Sequence, residues 1–241
     1  MTTVLLVRHG RTSANTAGVL AGRSSGVELD DRGREQVASV GQRLAQVPVR
    51  AIVTSPLRRC RQTAQALAAA RTDGAPVVTE KGLIECGYGD WTGKTLRELA
   101  KDPLWGAVQQ QPSSVRFPSG ESMLEMASRA TGAIRAWDAK MAAEHGADAV
   151  WVAVSHGDPI KAILADALGM HLDSFQRIMV DPASISIIRY TSARPYVVTA
   201  NSTTTDLAAM FAPPPKRRRR KSAPAADAAV GGGLGSGDSA P

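Results

Sequence analysis

Two histidines in this chain stand in closely similar surroundings. His9 follows the run Val4–Val7 and Arg8, and His156 follows the run Val150–Ser155; a glycine comes directly after each histidine. Apolar, β-branched runs of this length are typical of strands buried on both faces of a sheet. Two imidazoles at the ends of such strands, one of them beside an arginine, suit covalent chemistry on a phosphoryl group.

The two strands that carry these histidines predict a shared pocket. Residues at the carboxyl ends of parallel strands line the crevice where open α/β sheets bind ligands. We therefore expect both imidazoles to point into one crevice. Gly10 and Gly157 let the backbone turn sharply there and approach a ligand closely.

The body of the chain alternates predicted strands and helices. Ser122 and Glu125 have the spacing of a capping box, and Ser55 followed by Pro56 predicts an N-cap with proline at the first helical position. Such alternation indicates a three-layer αβα sandwich of the α/β class around a mostly parallel sheet. Besides the two histidine strands we predict strands at 51–54, 76–79, 185–190 and 196–200, and helices at 31–45, after Pro56, at 96–101, 122–144 and 158–168.

Length and composition limit the classes of protein to which this chain can belong. The chain has 241 residues, 43% of them hydrophobic, which is enough for one domain with its own core. We predict this domain at 1–205. The Pro-, Ala- and Gly-rich tail at 206–241 is expected to be disordered. Two cysteines argue against a disulfide scaffold and for a reducing compartment. We find no signal peptide or spanning segment, so a cytoplasmic location is expected.

The net charge of +7 is concentrated in the tail. Lys216–Lys221 form one block of six cations, while the residues before it carry 23 basic and 20 acidic side chains. The block predicts either binding to nucleic acid or an anionic surface, or a solvated tail with little binding, and the sequence leaves both open.

Five segments, in order along the chain, resemble the motifs of the histidine phosphatase superfamily, also called the phosphoglycerate mutase-like family. A single Arg-His-Gly triplet is weak evidence, whereas five motifs in the family's order are specific. The resemblance covers residues 3 to about 201 and rests on Arg8–Asn15, Thr54–Ala64, Leu83–Trp91, Pro118–Ser122 and Ser155–Gly157.

The resemblance implies a phosphate site made largely of nitrogen donors. His9 would be the nucleophile that becomes phosphohistidine, with His156 beside it as the second catalytic histidine. No cofactor and no metal ion are expected, and the implied partner is a small phosphorylated substrate. The implied phosphate-binding residues are Arg8, Asn15, Arg59, His156 and Gly157.

Glu85 is the implied general acid and base. It would protonate the leaving oxygen and then take a proton from water, which requires a pKa near the working pH. Asp90 and Asp158 are other acids close to these motifs that could share this role. Asp158 directly follows His156-Gly157, so orienting a loop or capping the helix that begins there are alternatives for it.

Substrate specificity is expected between residues 86 and 120. The candidates to contact the leaving group are Tyr88, Trp91, Trp105, Arg116 and Phe117. Cys60 and Cys86 each follow a candidate site residue, which raises the hypothesis of a redox switch beside the simpler one that they fill small buried gaps. His145 and His171 are expected at the surface.

Three functions compete within this resemblance. We expect a phosphatase, because only about 35 residues separate Glu85 from the Gly120-Glu121-Ser122 motif, whereas the family's mutases carry a longer insertion there that keeps water out. A phosphoglycerate mutase-type phosphomutase is the alternative. A catalytically silent binding module would be expected to lack one of five residues, and none is missing: they are Arg8, His9, Arg59, Glu85 and His156.

Overall fold

A six-stranded sheet forms the centre of the computed structural model, which describes residues 1–204 and Gly231. The strand order is β3-β2-β4-β1-β5-β6. The first four strands in that order pair in parallel, and the last two pair antiparallel at one edge. The strands are Thr2–Arg8 (β1), Val49–Thr54 (β2), Val77–Thr79 (β3), Val150–Ser155 (β4), Ile185–Tyr190 (β5) and Pro195–Ser202 (β6).

Helices cover both faces of this sheet. Asp30 caps the second helix through the backbone N–H of Gly33, and the capping box of Ser122 and Glu125 is confirmed. In the described part of the chain, no helix combines the length and apolar character needed to span a membrane. The α-helices are Ser13–Thr16 (α1), Asp31–Leu44 (α2), Arg58–Ala69 (α3), Leu96–Leu99 (α4), Trp105–Gln110 (α5), Met123–His145 (α6) and Gly157–Ala167 (α7), with 3₁₀ helices at Lys81–Leu83, Gly89–Trp91, Pro112–Ser114 and Leu172–Arg177.

The alternation of side chains along β1 produces two apolar layers. Val4 and Leu6 face the layer filled by α6 and α7, while Leu5 and Val7 face the layer filled by α2 and α3. A strand that is apolar at every position is thus buried on both faces. The predicted three-layer αβα sandwich is confirmed.

Two local predictions were wrong. The third helix begins at Arg58 with Leu57 as its N-cap, so Ser55 is not the capping residue. The Oγ of Ser55 is instead hydrogen-bonded to Nε2 of His156 at 2.7 Å. The helix α5 was not predicted, because it is short and its N-cap Leu104 makes no side-chain capping bond. The predicted disordered tail lies outside the described residues apart from Gly231.

Candidate active site

The register between β1 and β4 brings the two histidines together. Arg8 is opposite Ser155 at the carboxyl ends of these strands. The next residue on each strand is therefore a histidine, and the backbone N–H of His9 donates to the carbonyl of Ser155 at 3.0 Å. The ring centroids of His9 and His156 lie 5.2 Å apart at 64° to each other. The two imidazoles are therefore adjacent, as the two strands predicted.

The hydrogen bonds of His9 fix its tautomer. Its Nδ1 lies 2.8 Å from the carbonyl oxygen of Gly10, which can only accept, so Nδ1 carries the proton. The Nε of Arg59 donates to Nε2 of His9 at 3.2 Å, so Nε2 holds a lone pair. Burial, and then Arg59 and Arg8, lower the pKa of His9 well below its usual value. The ring is therefore neutral at neutral pH, with Nε2 as its nucleophilic atom.

Two buried arginines flank His9. Arg8 is fully buried, and it donates from Nη1 to the carbonyl of Val180 at 2.8 Å and from Nη2 to that of Gly231 at 3.2 Å. Arg59 donates from Nη2 to the carbonyl of Gly22 at 2.8 Å. Its Nη1 is buried and has no hydrogen-bond partner within residues 1–204 and 231. An unsatisfied guanidinium nitrogen is costly to bury, and an anion such as phosphate would satisfy it.

His156 lies at the N-terminus of α7. It is the N-cap of that helix without making a side-chain capping bond, and Gly157 is the first helical residue. Burial, followed by Arg59 and His9, lowers the pKa of His156 well below its usual value. The positive end of the α7 dipole and a neutral imidazole therefore lie together at the N-terminus of this helix, an arrangement that suits an anionic group.

Glu85 lies in the same cluster and is only 4% exposed. Its Oε1 accepts from the backbone N–H of Cys86 at 2.8 Å. Its carbonyl oxygen accepts from Nε of Arg23 at 2.9 Å and from Nη2 of Arg129 at 3.0 Å, so two side chains fix the backbone. Burial, and then the charge of Asp158, raise the pKa of Glu85 to about 7, against the opposing effect of Arg59 and Arg8. A carboxyl group with this pKa can both give and take a proton near neutrality.

The two alternative acids have very different environments. Asp90 is exposed and lies 3.4 Å from the hydroxyl of Ser119. Asp158 is fully buried and accepts a hydrogen bond from the hydroxyl of Tyr88 at 2.6 Å. The structure therefore places Asp158, and not Asp90, in the buried part of the site.

Asn15 uses its side-chain oxygen within its own turn. The Oδ1 accepts from the backbone N–H of Thr12 at 3.0 Å and from its hydroxyl at 2.8 Å, which closes the capping box of α1. A phosphate contact by Asn15 would therefore come from its amide nitrogen.

The five predicted specificity residues separate into three groups. Trp91 and Phe117 are 1% exposed with ring centroids 5.2 Å apart, and Trp105 stacks on Trp91 at 6.1 Å. Trp91 and Phe117 are thus packed in the core, and their contact with a leaving group stays a prediction. Arg116 is exposed and ion-paired with Glu125. Only Tyr88 is bonded to a buried residue of the site.

Both cysteines are buried thiols. Cys60 lies with Sγ 3.4 Å from Nε2 of His156, and burial raises its pKa to about 12. Burial also raises the pKa of Cys86, whose Sγ is 3.9 Å from the sulfur of Met123. These environments favour the gap-filling interpretation over the redox switch, because the reactive form of cysteine is the thiolate. His145 and His171 are exposed, as predicted.

Several site residues had no predicted role. Thr63 accepts from the backbone N–H of Gly10 at 3.2 Å and donates to the carbonyl of Arg59 at 2.9 Å, which joins the segment after β1 to α3. Thr63 lies inside the family-like segment Thr54–Ala64, so that segment could have identified it as a site residue. Ser55, Arg23 and Arg129 contact residues far away in the chain, and a local sequence pattern cannot predict such contacts. No group of three or more His, Cys, Asp or Glu side chains in the described segments is arranged to hold a metal ion.

Comparison with known proteins places this geometry among phosphate-handling enzymes. The family model described as histidine phosphatase superfamily (branch 1) matches residues 4–203. Phosphoserine phosphatase 1 of Hydrogenobacter thermophilus is 30% identical over 205 residues, which are 84% of this chain and 93% of that protein. A probable phosphoglycerate mutase of Erwinia tasmaniensis is 32% identical over 188 residues, 77% of this chain and 84% of that protein.

A solved structure shows the same likeness. Phosphoserine phosphatase of Entamoeba histolytica, in complex with 3-phosphoglyceric acid, superposes with a TM-score of 0.74 and 26% sequence identity. The match covers 85% of this chain and 98% of that one.

Proposed function

This chain belongs to branch 1 of the histidine phosphatase superfamily, and from that premise we propose that it hydrolyses phosphate monoesters through a phosphohistidine on His9, without a metal ion. The observation that carries the proposal is the state of His9. Its Nε2 lone pair faces a buried guanidinium 3.2 Å away, and its Nδ1 proton is held by the carbonyl of Gly10. An unprotonated imidazole nitrogen between two cations is equipped to attack a phosphorus atom.

The first half-reaction transfers the phosphoryl group to the protein. Nε2 of His9 forms the N–P bond while the bond between phosphorus and the ester oxygen breaks. The leaving oxygen takes a proton from Glu85, whose pKa of about 7 leaves much of it protonated at neutral pH. The freed alcohol then departs.

The second half-reaction regenerates the enzyme. Water attacks phosphorus and loses a proton to the Glu85 carboxylate, and the N–P bond breaks to return the electron pair to Nε2. Inorganic phosphate then leaves, and Glu85 is again protonated.

Fixed charge is the main source of rate in this account. Phosphoryl transfer spreads negative charge over three oxygens, so catalysis is chiefly a matter of position and electrostatic stabilisation. Arg8, Arg59, His156, the amide nitrogen of Asn15 and the backbone of Gly157 would provide donors to those oxygens. The two guanidinium groups supply the positive charge that a metal ion supplies in other phosphatases.

A phosphomutase is the second candidate, and the relative named as a probable phosphoglycerate mutase favours it. In a mutase the phosphohistidine would return its phosphoryl group to a bound acceptor. The segment from Glu85 to Gly120 contains only two short helices, α4 and α5, and two 3₁₀ turns. A segment of this size shields the intermediate from water less than a long insertion would, so we place hydrolysis first.

The test is phosphate release in the presence of EDTA. We expect wild-type turnover of p-nitrophenyl phosphate to resist the chelator and to be lost in His9→Ala, whereas His145→Ala, which removes an exposed histidine, retains it. Phosphoserine, 3-phosphoglycerate and glucosyl-3-phosphoglycerate then form the first substrate panel. Turnover that requires an added divalent metal, or that survives in His9→Ala, would overturn the proposal. Exchange between phosphoglycerates faster than phosphate release would favour the mutase.

A further inference from the structure

The hydroxyl of Ser55 is a buried polar group that the mechanism above does not use. Ser55 directly follows β2, and its backbone N–H donates to the carbonyl of Val154 on β4 at 2.9 Å. This bond places the serine at the carboxyl end of β4, where His156 follows the strand. The Oγ of Ser55 lies 2.7 Å from Nε2 of His156, and both residues are fully buried. Bulk water therefore does not compete for this hydrogen bond.

The neighbours of Ser55 indicate which atom donates in this bond. The backbone N–H of Leu57 donates to Oγ at 3.4 Å and offers no acceptor for the hydroxyl proton. The sulfur of Cys60 is also within reach of the hydroxyl, but a thiol is only a weak acceptor. Burial raises the pKa of Cys60 to about 12, so this thiol keeps its proton and donates it to the carbonyl of Ser155 at 3.4 Å. The lone pair on Nε2 of His156 is the stronger acceptor, and the Ser55 hydroxyl donates to it.

A neutral imidazole that accepts at Nε2 carries its proton on Nδ1. Burial, and then the charge of Arg59, lower the pKa of His156 well below its usual value, which keeps the ring neutral. Within residues 1–204 and 231, the polar atom near Nδ1 is Sγ of Cys60 at 3.7 Å, and no oxygen or nitrogen accepts from this N–H. A buried N–H in such surroundings favours the approach of an anionic oxygen.

We propose that Ser55 is a positioning residue for His156: by donating to Nε2 it keeps the ring proton on Nδ1, where it can bind an oxygen of the phosphoryl group. The inference rests on the proposed function, in which His156 is one of the donors to that group. Ser55 acts through the imidazole and does not itself touch the substrate.

The two histidines of the site then have the same tautomer for opposite purposes. Nδ1 of His9 is bound to the carbonyl of Gly10, which leaves the lone pair on Nε2 to attack phosphorus. Nε2 of His156 is occupied by the Ser55 hydroxyl, which leaves the proton on Nδ1 to be donated in a hydrogen bond.

The tautomer of His156 is measured directly by nitrogen-15 NMR of the full-length wild-type protein at neutral pH. Protonated and unprotonated ring nitrogens differ widely in chemical shift, and the signals of His156 are those that disappear in His156→Gln. We expect a protonated Nδ1 and an unprotonated Nε2. A ring protonated on Nε2, or on both nitrogens, would overturn the inference. This measurement needs no change at position 55, so it decides the question even where a variant of Ser55 folds poorly.

Ser55→Ala tests whether the hydroxyl holds this tautomer. We expect the Nε2 signal of His156 to shift, part of the ring population to become protonated on Nε2, and kcat for p-nitrophenyl phosphate to fall about tenfold, the effect of one buried hydrogen bond. Ser186→Ala is the matched control, because it removes a buried hydroxyl of β5 that accepts from the backbone N–H of Asn201 at 3.0 Å, and it should change neither. Wild-type signals of His156 in Ser55→Ala would show that the serine has no part in the tautomer.

The NMR measurement does not depend on activity, so this inference and the proposed function fail separately. A wild-type ring protonated on Nε2 would remove the role of Ser55 and leave a phosphohistidine on His9 untouched. Phosphatase activity that survives in His9→Ala, with the His156 signals as expected, would remove the proposed function and leave the assigned tautomer standing.

Discussion

At the scale of single residues, the site combines neutral imidazoles with permanent positive charge. The tautomer of His9 is set by one carbonyl and one guanidinium, and both histidines have pKa values lowered by burial and by the arginines. Glu85 has the opposite shift, to about 7. The pKa values of the proposed nucleophile and the proposed acid are therefore shifted toward the protonation states that phosphoryl transfer needs at neutral pH.

The pH dependence of kcat/KM follows from the directions of the pKa shifts of His9 and Glu85. His9 with a lowered pKa stays unprotonated as the pH falls, so activity should persist below pH 6, where an ordinary histidine with a pKa of about 6.5 would be mostly protonated. Glu85 with a raised pKa loses its proton as the pH rises, so activity should fall above about pH 7. Steady-state kinetics from pH 4 to 9 would check this. An optimum above pH 8 would contradict it.

Arg59→Lys tests whether the planar guanidinium matters beyond its charge. Arg59 contacts Nε2 of His9 through Nε and the carbonyl of Gly22 through Nη2, and its Nη1 is buried without a hydrogen-bond partner in the described residues. A lysine cannot reproduce this fork, so we expect a loss of about a hundredfold in kcat/KM. Arg61→Lys, at an exposed position of the same helix, is the matched control. Equal activity of the two variants would rule out the proposed contact.

At the scale of elements, α6 and the segment from 80 to 91 hold the acid against the sheet. Arg129 on α6 donates to the carbonyls of Gly82 at 2.8 Å, Ile84 at 2.6 Å and Glu85 at 3.0 Å. The hydroxyl of Ser155, at the end of β4, donates to the carbonyl of Leu83 at 2.8 Å. Glu85, the proposed acid, is thus placed by side chains of a helix and a strand that bind the backbone of residues 82–85, and not by its own loop alone.

The stability of α6 depends on its first turn. The hydroxyl of Ser122 accepts from the backbone N–H of Glu125 at 3.1 Å, and the Glu125 carboxylate accepts from the N–H of Ser122 at 2.9 Å. Ser122→Ala should lower the free energy of unfolding by about 1 kcal/mol, measured by urea denaturation. Ser128→Ala, inside the same helix, should change it little, since alanine is the better helix former. A Ser122→Ala variant as stable as wild type would show that the capping box contributes nothing.

The sequence predicted elements well where one helix or strand is decided by its own residues. The apolar runs before His9 and His156, and the capping box of α6, are signals of that kind. The predicted N-cap role of Ser55 was wrong. A serine before proline has the local pattern of an N-cap, but the hydroxyl of Ser55 is hydrogen-bonded to His156, 101 positions away. The sequence also contained no sign that Trp91 and Phe117 pack into the same apolar layer as Val4 and Leu6. Contacts between distant positions, such as Tyr88 with Asp158, leave no local pattern.

At the scale of the whole molecule, the two apolar layers remove the site from water. Both cysteines, both histidines of the site, Arg8, Arg59 and Glu85 are each at most 4% exposed. Low exposure is what lowers the pKa of the histidines and raises that of Glu85, so the sandwich itself tunes the chemistry.

The same burial predicts inert thiols. Cys60 and Cys86 are fully buried, and burial raises the pKa of each. We expect neither to react with Ellman's reagent in the native protein and both to react after denaturation in guanidinium chloride. Peroxide treatment should accordingly leave phosphatase activity unchanged. Rapid labelling of one native thiol, with loss of activity, would restore the redox-switch hypothesis.

In the proposed mechanism His9 carries the phosphoryl group, and a rapid-quench experiment with a phosphate ester labelled at phosphorus is the sharpest test of that step. We expect a protein-bound phosphate that is stable in base, labile in acid, located on His9 by peptide mapping and absent from His9→Ala. Glu85→Gln, slowed in its attack by water, should accumulate more of it. Turnover of the ester by wild type with no labelled protein, or with the label on any other residue, would contradict the account.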